Sequence, residues 1–281
     1  MQNSKINFIQ IIIGVALASY AVIGFYIFYR SDFSNGIKYT ALTLELLLPY
    51  LLVKTKSYQS FTTALLLYVC WEGFMGEAPR NQLNETIRNL SFHVPMWFTM
   101  YILLLVNVIY SIRFLRSNDL KHDARANEYS YTGTLFGVLG IITGMWWMNF
   151  TWAQPKEGAA MIRLWSGDPK QDSATVGLLV YFAYIILRRS FTDELQRAKI
   201  SAVYSVFAFP ILVVLTYILP KLWPNSLHPG GTVTPSLKEM DVDNTLVIVF
   251  YPAVIAWILL GVWIAEVRTK LSKAQLKLYE R

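Results

Sequence analysis

The chain has 281 residues, 54% of them hydrophobic and 15% charged, with a net charge of +7. An ordinary soluble domain is excluded by that balance, and a chain solvated by lipid must be a helix bundle or a closed barrel. A single cysteine, Cys70, excludes internal disulfides and thiolate clusters, and no basic-aromatic pattern accompanies the positive charge to suggest nucleic acid.

Apolar runs fall at roughly 7–29, 37–53, 60–77, 93–115, 131–150, 174–187, 200–222 and 244–265. They are continuous and lack the alternation of a barrel strand, so the expected fold class is all-α, a polytopic transmembrane helix bundle of about eight spans. The second and sixth runs are short. The first begins just after Lys5 and ends in Phe-Tyr-Arg without a small-x-small cleavage site, which reads as a retained anchor.

Basic residues set the orientation. With the N-terminus inside, the inner segments carry Lys5, Lys54, Lys56, Arg113, Arg116, Lys121, Arg125, Arg188, Arg189, Arg197 and Lys199. The tail adds Arg268, Lys270, Lys273, Lys277 and Arg281, so most basic residues lie on one side, as the positive-inside rule requires. Both termini are then cytoplasmic. The outer face receives a short turn near 30–37 and three longer segments, 78–92, 151–173 and 223–243.

Two of the three histidines lie in or directly beside those outer segments. His93 opens the fourth run in Ser-Phe-His-Val-Pro-Met-Trp, where Pro95 is comfortable at a helix start. His228 lies in the turn-rich stretch Asn-Ser-Leu-His-Pro-Gly-Gly after the seventh run. His122, in Asp-Leu-Lys-His-Asp, falls on the inner side as a solvated charged-loop residue. Between the outer pair, Trp146, Trp147, Trp152 and Trp165 crowd into twenty residues. Tryptophans at helix ends commonly form an interfacial belt. Here they spread through a connecting segment with a partial tandem copy, Trp-x-x-Pro-Lys-Glu and Trp-x-x-Asp-Pro-Lys-Gln. Two neutral imidazoles beside a flat aromatic surface suit a planar iron cofactor, with Lys156, Arg163 or Lys170 meeting its carboxylates.

Two readings stand for Arg80 and Arg88, which lie outside against the charge bias: an anionic ligand, or local pairing with Glu77 or Glu85. Glu45, inside the second run, is either functional or an interhelical position. No phosphate-binding loop, His-Glu-x-x-His or nucleophile elbow is present.

At these residues the chain resembles the CcmC family of haem-handling proteins in cytochrome c maturation, and more distantly the CcsA family. The likeness runs from about 61 to 265. It is carried by Ala78-Pro79, Gln82, Arg88 and His93-Val94-Pro95-Met96-Trp97, then Thr143-Gly144 and Trp147. Trp165-Ser166-Gly167-Asp168-Pro169-Lys170 follows, and Trp223, Asn225-Ser226-Leu227-His228 and Gly230 close the series. The family's second signature tryptophan is Gly167 here, and the segment 145–168 is lengthened around Trp152.

The resemblance implies haem b held non-covalently at the outer, periplasmic face of a bacterial inner membrane, with His93 and His228 as axial iron ligands. The implied binding set adds Arg88, Trp97, Trp147, Trp152, Trp165, Asp168 and Trp223. It also implies delivery to a haem chaperone, CcmE, assisted by ABC-type CcmA and CcmB partners, which makes the chain a carrier rather than an enzyme. The family core is six spans over 60–265 with a tryptophan-rich segment at 145–173. Residues 1–59 add a two-span extension and 266–281 a basic cytoplasmic tail. Three alternatives stay open: a CcsA-type transporter and cytochrome c synthetase subunit, a membrane redox cytochrome subunit, and a small-molecule transporter using Glu45.

Overall fold

The computed structural model describes residues 8–29, 57–76, 84–151, 165–223, 226, 228 and 244–279. Among them there are helices and turns but no strands, so the all-α expectation holds. Four helical stretches are long and apolar enough to cross a membrane: Glu85–Ser117, Leu120–Phe150, Glu194–Leu222 and Ile248–Ala274. With the shorter apolar helices they make a multi-pass membrane protein. The second expected span, with Glu45, lies outside the described residues.

The chain divides into two compact units. The first comprises Met1–Pro95 and Val242–Leu260. In it, α1 (Phe8–Tyr29) packs on α2 (Ser57–Met75). Gly14 permits the close approach, because a Cβ there would overlap Ser60 and the backbone of Phe61. Ala18, Ala21, Phe61, Leu65, Ala256 and Leu259 form the core. The Tyr68 hydroxyl donates to the Ile248 carbonyl across it, at 3.2 Å.

A 3-10 turn (Asn84–Asn89) leads into α3 (Leu90–Ser117). The helix therefore starts upstream of the position that Pro95 suggested. Ile87 and Leu90 are buried and draw the segment into the unit, so that Pro95 lies inside the helix and withholds an N–H from the Ser91 carbonyl.

The second unit comprises Met96–Asp241 and Gly261–Arg281. It holds the rest of α3, then α4 (Leu120–Phe150), α5 (Pro169–Arg189) and α6 (Glu194–Val213). A π-helical turn at Val214–Ile218 continues α6 into α7 (Leu219–Leu222), and the last helix is α8 (Asn244–Tyr279). Small residues set the spacing around α4. A Cβ on Gly133 would meet Leu104, one on Gly137 Leu178 and Met100, and one on Gly140 the indole of Trp97.

The connections from α3 to α4 and from α5 to α6 are tight. Asn118, at φ 54°, and Asp119 turn α3 into α4, with Asp119 accepting from the Lys121 N–H at 2.9 Å. Asp193 caps α6 in the same way at 2.6 Å. The residues expected as a basic tail continue α8 to Tyr279. Thr269 is buried there, while Arg268 pairs with Glu128 at 2.8 Å and Ser272 donates to Glu128 at 2.9 Å. Outward-facing side chains such as Leu179, Ile186 and Phe207 are exposed and apolar, as lipid contact requires.

Candidate functional site

In the second unit the site is built where α4 ends, α5 begins and the chain emerges from α7. Trp147 sits in the last turn of α4 and is 5% exposed. Its ring meets the His228 imidazole edge-on, with centroids 6.1 Å apart and planes at 72°. Thr151 closes that helix end, its backbone N–H donating to the Met148 carbonyl.

The start of α5 is fixed by local sequence. Asp168-Pro169-Lys170 is a helix-start signature, an acidic N-cap with proline at the first helical position. The Asp168 carboxylate accepts from the Lys170 N–H at 2.8 Å, while its own N–H donates to Ser166 Oγ at 3.0 Å. Ser166 donates through its backbone N–H and its hydroxyl to Gln171 Oε1, at 3.1 and 2.7 Å. The Trp165 indole N–H donates to Asp172 at 2.7 Å, which leaves its ring 44% exposed.

Gly167 explains its own departure from the family pattern. It adopts φ +72°, with open space where a Cβ would lie, so any side chain there is strained by backbone conformation alone.

Asp168 also reaches across the site. The buried hydroxyl of Ser226 donates to both its carboxylate oxygens, at 3.0 and 3.2 Å. The His228 backbone N–H donates in turn to Ser226 Oγ at 3.2 Å. One carboxylate therefore caps α5 and anchors the turn that presents His228.

Lys170 is close enough to Lys221 for repulsion. Burial lowers its pKa from the ordinary lysine value, Asp168 partly opposes that shift, and Lys221 adds to it. The Lys221 ammonium lies 3.7 Å from the centroid of the Tyr217 ring.

His93 belongs to the first unit, in the first turn of α3, and is 5% exposed. Phe92 beside it stacks on Phe74 of α2, with centroids 4.7 Å apart. The α2 end is closed by Arg88, which donates to the Gly76 carbonyl at 2.8 Å and the Gly73 carbonyl at 3.4 Å. Its Nε donates to Glu85 at 2.5 Å. Of the two readings for this arginine, local pairing with Glu85 is present.

Among the other expected site residues, Trp97 packs on Gly140 within the second unit, and Trp223 ends α7 half-exposed. Trp152, Lys156, Arg163 and Arg80 lie outside the described residues. His122 opens α4 against Tyr110. At about 1.5 Å per residue it is roughly 37 Å along that helix from Trp147. Sequence reasoning quoted Ser226, Ser166 and Gln171 within motifs but gave them no role. Asp-Pro-Lys carried the signal for the cap, whereas the motif Asn225-Ser226-Leu227-His228 marked the stretch without showing what its serine contacts.

The sequence matches the family described as heme exporter protein C, CcmC, over residues 43–280. The chain belongs to the CcmC family. It is also similar to cytochrome c biogenesis protein CcsA of Prochlorococcus marinus subsp. pastoris, 30% identical over 127 residues. That match covers 45% of this chain and 36% of the relative. The CcsA of a Synechococcus strain is 30% identical over 121 residues, covering 42% of this chain and 36% of its own length. The chain thus spans about a third of these curated relatives. The family's business is haem handling in cytochrome c biogenesis, and the matched range contains Trp147, Asp168 and His228.

Proposed function

We propose that this protein holds haem b non-covalently at the periplasmic face of the bacterial inner membrane and passes it to a haem chaperone. Family membership supplies the cargo class. The observation that carries the local assignment is the anchored His228 turn: Asp168 holds Ser226, Ser226 holds the His228 N–H, and the imidazole rests against buried Trp147.

The donor set suits such a cargo. Among the described residues no group of three or more His, Cys, Asp or Glu side chains converges to hold a metal. An iron whose equatorial positions are already filled by a macrocycle needs only axial ligands, a role that imidazoles fill. His228 and His93 are assigned that role. Trp147, Trp152, Trp165, Trp97 and Trp223 supply indole surface, and Lys170 with Arg88 supplies positive charge for the ring's carboxylates. In this reading Asp168 acts through Ser226 rather than by touching the ring.

The hand-off needs firm but reversible ligation. Neutral imidazoles provide it, and a turn held by hydrogen bonds can withdraw from the iron as an acceptor's ligand replaces it. The acceptor implied by the family is CcmE, working with CcmA and CcmB.

Protein purified from haem-replete cells should show a Soret band. The band should fall strongly in His93→Ala and in His228→Ala and persist in His122→Ala. A colourless wild-type protein, or equal loss in all three variants, refutes the assignment. Similarity to CcsA proteins favours a second reading, a synthetase-type role. It requires haem attachment to apocytochrome in cells lacking CcmE, and failure there retains the carrier.

A further inference from the structure

At the opposite end of the second unit, an open depression of about 370 Å³ is lined by Asn127, Tyr131, Arg188, Arg189, Phe191 and Arg197. The geometry points to a binding site for a phosphate-bearing anion, which we propose as a second ligand site of this protein. It is built from the start of α4, the end of α5 and the start of α6. It lies roughly 28 Å along α5 from Lys170, at about 1.5 Å per residue.

Charge within this depression is unequally matched. Arg188 is neutralised by Asp123 through two hydrogen bonds, at 2.7 and 2.5 Å, and is thereby fixed in place. Arg197 meets Glu194 only at 3.4 Å, through an exposed carboxylate. Arg189 donates to the Tyr131 hydroxyl at 3.3 Å and lies 5.9 Å from that ring's centroid. Among the described residues no carboxylate lies within ion-pair range of Arg189. Just outside, Arg268 covers Tyr131 at 5.4 Å and is matched by Glu128. With Arg188 held by Asp123 and Arg197 only loosely met by the exposed Glu194, the surplus positive charge at the opening comes from Arg189.

Guanidinium groups present N–H donors in a planar fork that matches two oxygens of a phosphate, and fixed guanidiniums bind it at lower entropic cost than free ones. The volume accommodates a headgroup rather than a single ion. Phe191 and Tyr131 give it an apolar wall, and Ile186 and Leu195 nearby are exposed as lipid-facing residues are. The positive-inside assignment places this end at the cytoplasmic headgroups, where basic pockets between helices bind anionic lipid. A lipid headgroup and a free phosphate share this chemistry.

The test uses the full chain in phosphatidylcholine nanodiscs, titrated either with phosphatidylglycerol in the disc or with inorganic phosphate in solution. Lipid retention is read by native mass spectrometry and stability by melting temperature. Wild type should retain phosphatidylglycerol and melt higher with it, and Arg189→Gln/Arg197→Gln should weaken that retention about tenfold. Arg189→Lys/Arg197→Lys, which keeps the charge and loses the fork, should fall between and guards against misfolding. Stabilisation by inorganic phosphate that the Gln pair abolishes supports the same pocket with a soluble ligand. Equal behaviour of wild type and the Gln pair with both probes overturns the site. So does an equal loss from Lys270→Gln/Lys273→Gln on α8. Neither readout involves haem, so the outcome is independent of the outer assignment.

Discussion

Ser226 and Asp168, 58 residues apart in sequence, share a buried hydrogen bond of 3.0 Å that ties the His228 turn to the first turn of α5. Asp168 has two duties, capping the helix and receiving the serine, and substitutions separate them. Asn caps nearly as well as Asp and still offers an oxygen to Ser226, so Asp168→Asn should cost under about 1 kcal/mol. Asp168→Ala removes the cap and strands a buried hydroxyl, for about 2 kcal/mol or more. Ser226→Ala leaves the cap intact but releases the His228 N–H, so it should lower haem occupancy with little change in helix stability. Unfolding in detergent and Soret absorbance per chain check both. Identical profiles for Asp168→Asn and Asp168→Ala would remove the capping argument.

Arg88 closes the last turn of α2 through the Gly76 and Gly73 carbonyls. Charge-assisted bonds to such orphan carbonyls stabilise a helix end by about 1–2 kcal/mol. Arg88→Ala should therefore speed amide exchange in the last turn of α2 about tenfold, since 1.4 kcal/mol is a factor of ten. Lys in its place should recover part of the protection. Loss of haem with unchanged exchange would instead mark Arg88 as a ligand contact.

The helical fold was legible because long apolar runs permit little else in lipid, and helix starts at Asp119, Asp168 and Asp193 are written in capping chemistry. Other features depended on partners distant in sequence. Pro95 reads as a helix start, yet Ile87 and Leu90 are buried and extend the ordered segment upstream of it. Residues 266–281 read only as a basic cytoplasmic tail, and their contacts depend on Glu128, which holds Arg268 and Ser272 against α4. Of the candidate site, the motif order identified Trp147, Asp168 and His228. The serine connecting the last two lies within the quoted Asn225-Ser226-Leu227-His228 motif, but its contact with Asp168 exists only once α5 and the chain after α7 are adjacent. Gly167 stood out as a missing tryptophan, and its meaning emerges only from its positive φ.

Lys170 supplies a pH signature. Its folded pKa lies below the ordinary 10.5, chiefly through burial. Between the folded value and 10.5 the unfolded chain holds the extra proton, so stability rises with pH across that window. Below the folded value the penalty of the buried ammonium is fully present. Lys170→Met should accordingly gain most over wild type near neutrality, and the advantage should shrink as pH climbs through the window. Unfolding free energies of the two proteins from neutral to alkaline pH test the sign. A difference that widens with pH would contradict it.

Asp123 and Arg188, 65 residues apart, form a bidentate pair with both side chains 9% exposed. Removing two charges from water is costly, and their mutual attraction offsets this only while both remain. Asp123→Ala should cost about 3–5 kcal/mol, because it leaves the Arg188 guanidinium buried without its counterion. Asp123→Leu/Arg188→Met should recover most of that loss, since an apolar pair of similar volume needs no desolvation. The coupling energy from the full double-mutant cycle then measures the pair itself. If Asp123→Ala unfolds no more easily than wild type, the pair is solvated and the closure of α4 on α5 at this end must come from packing alone.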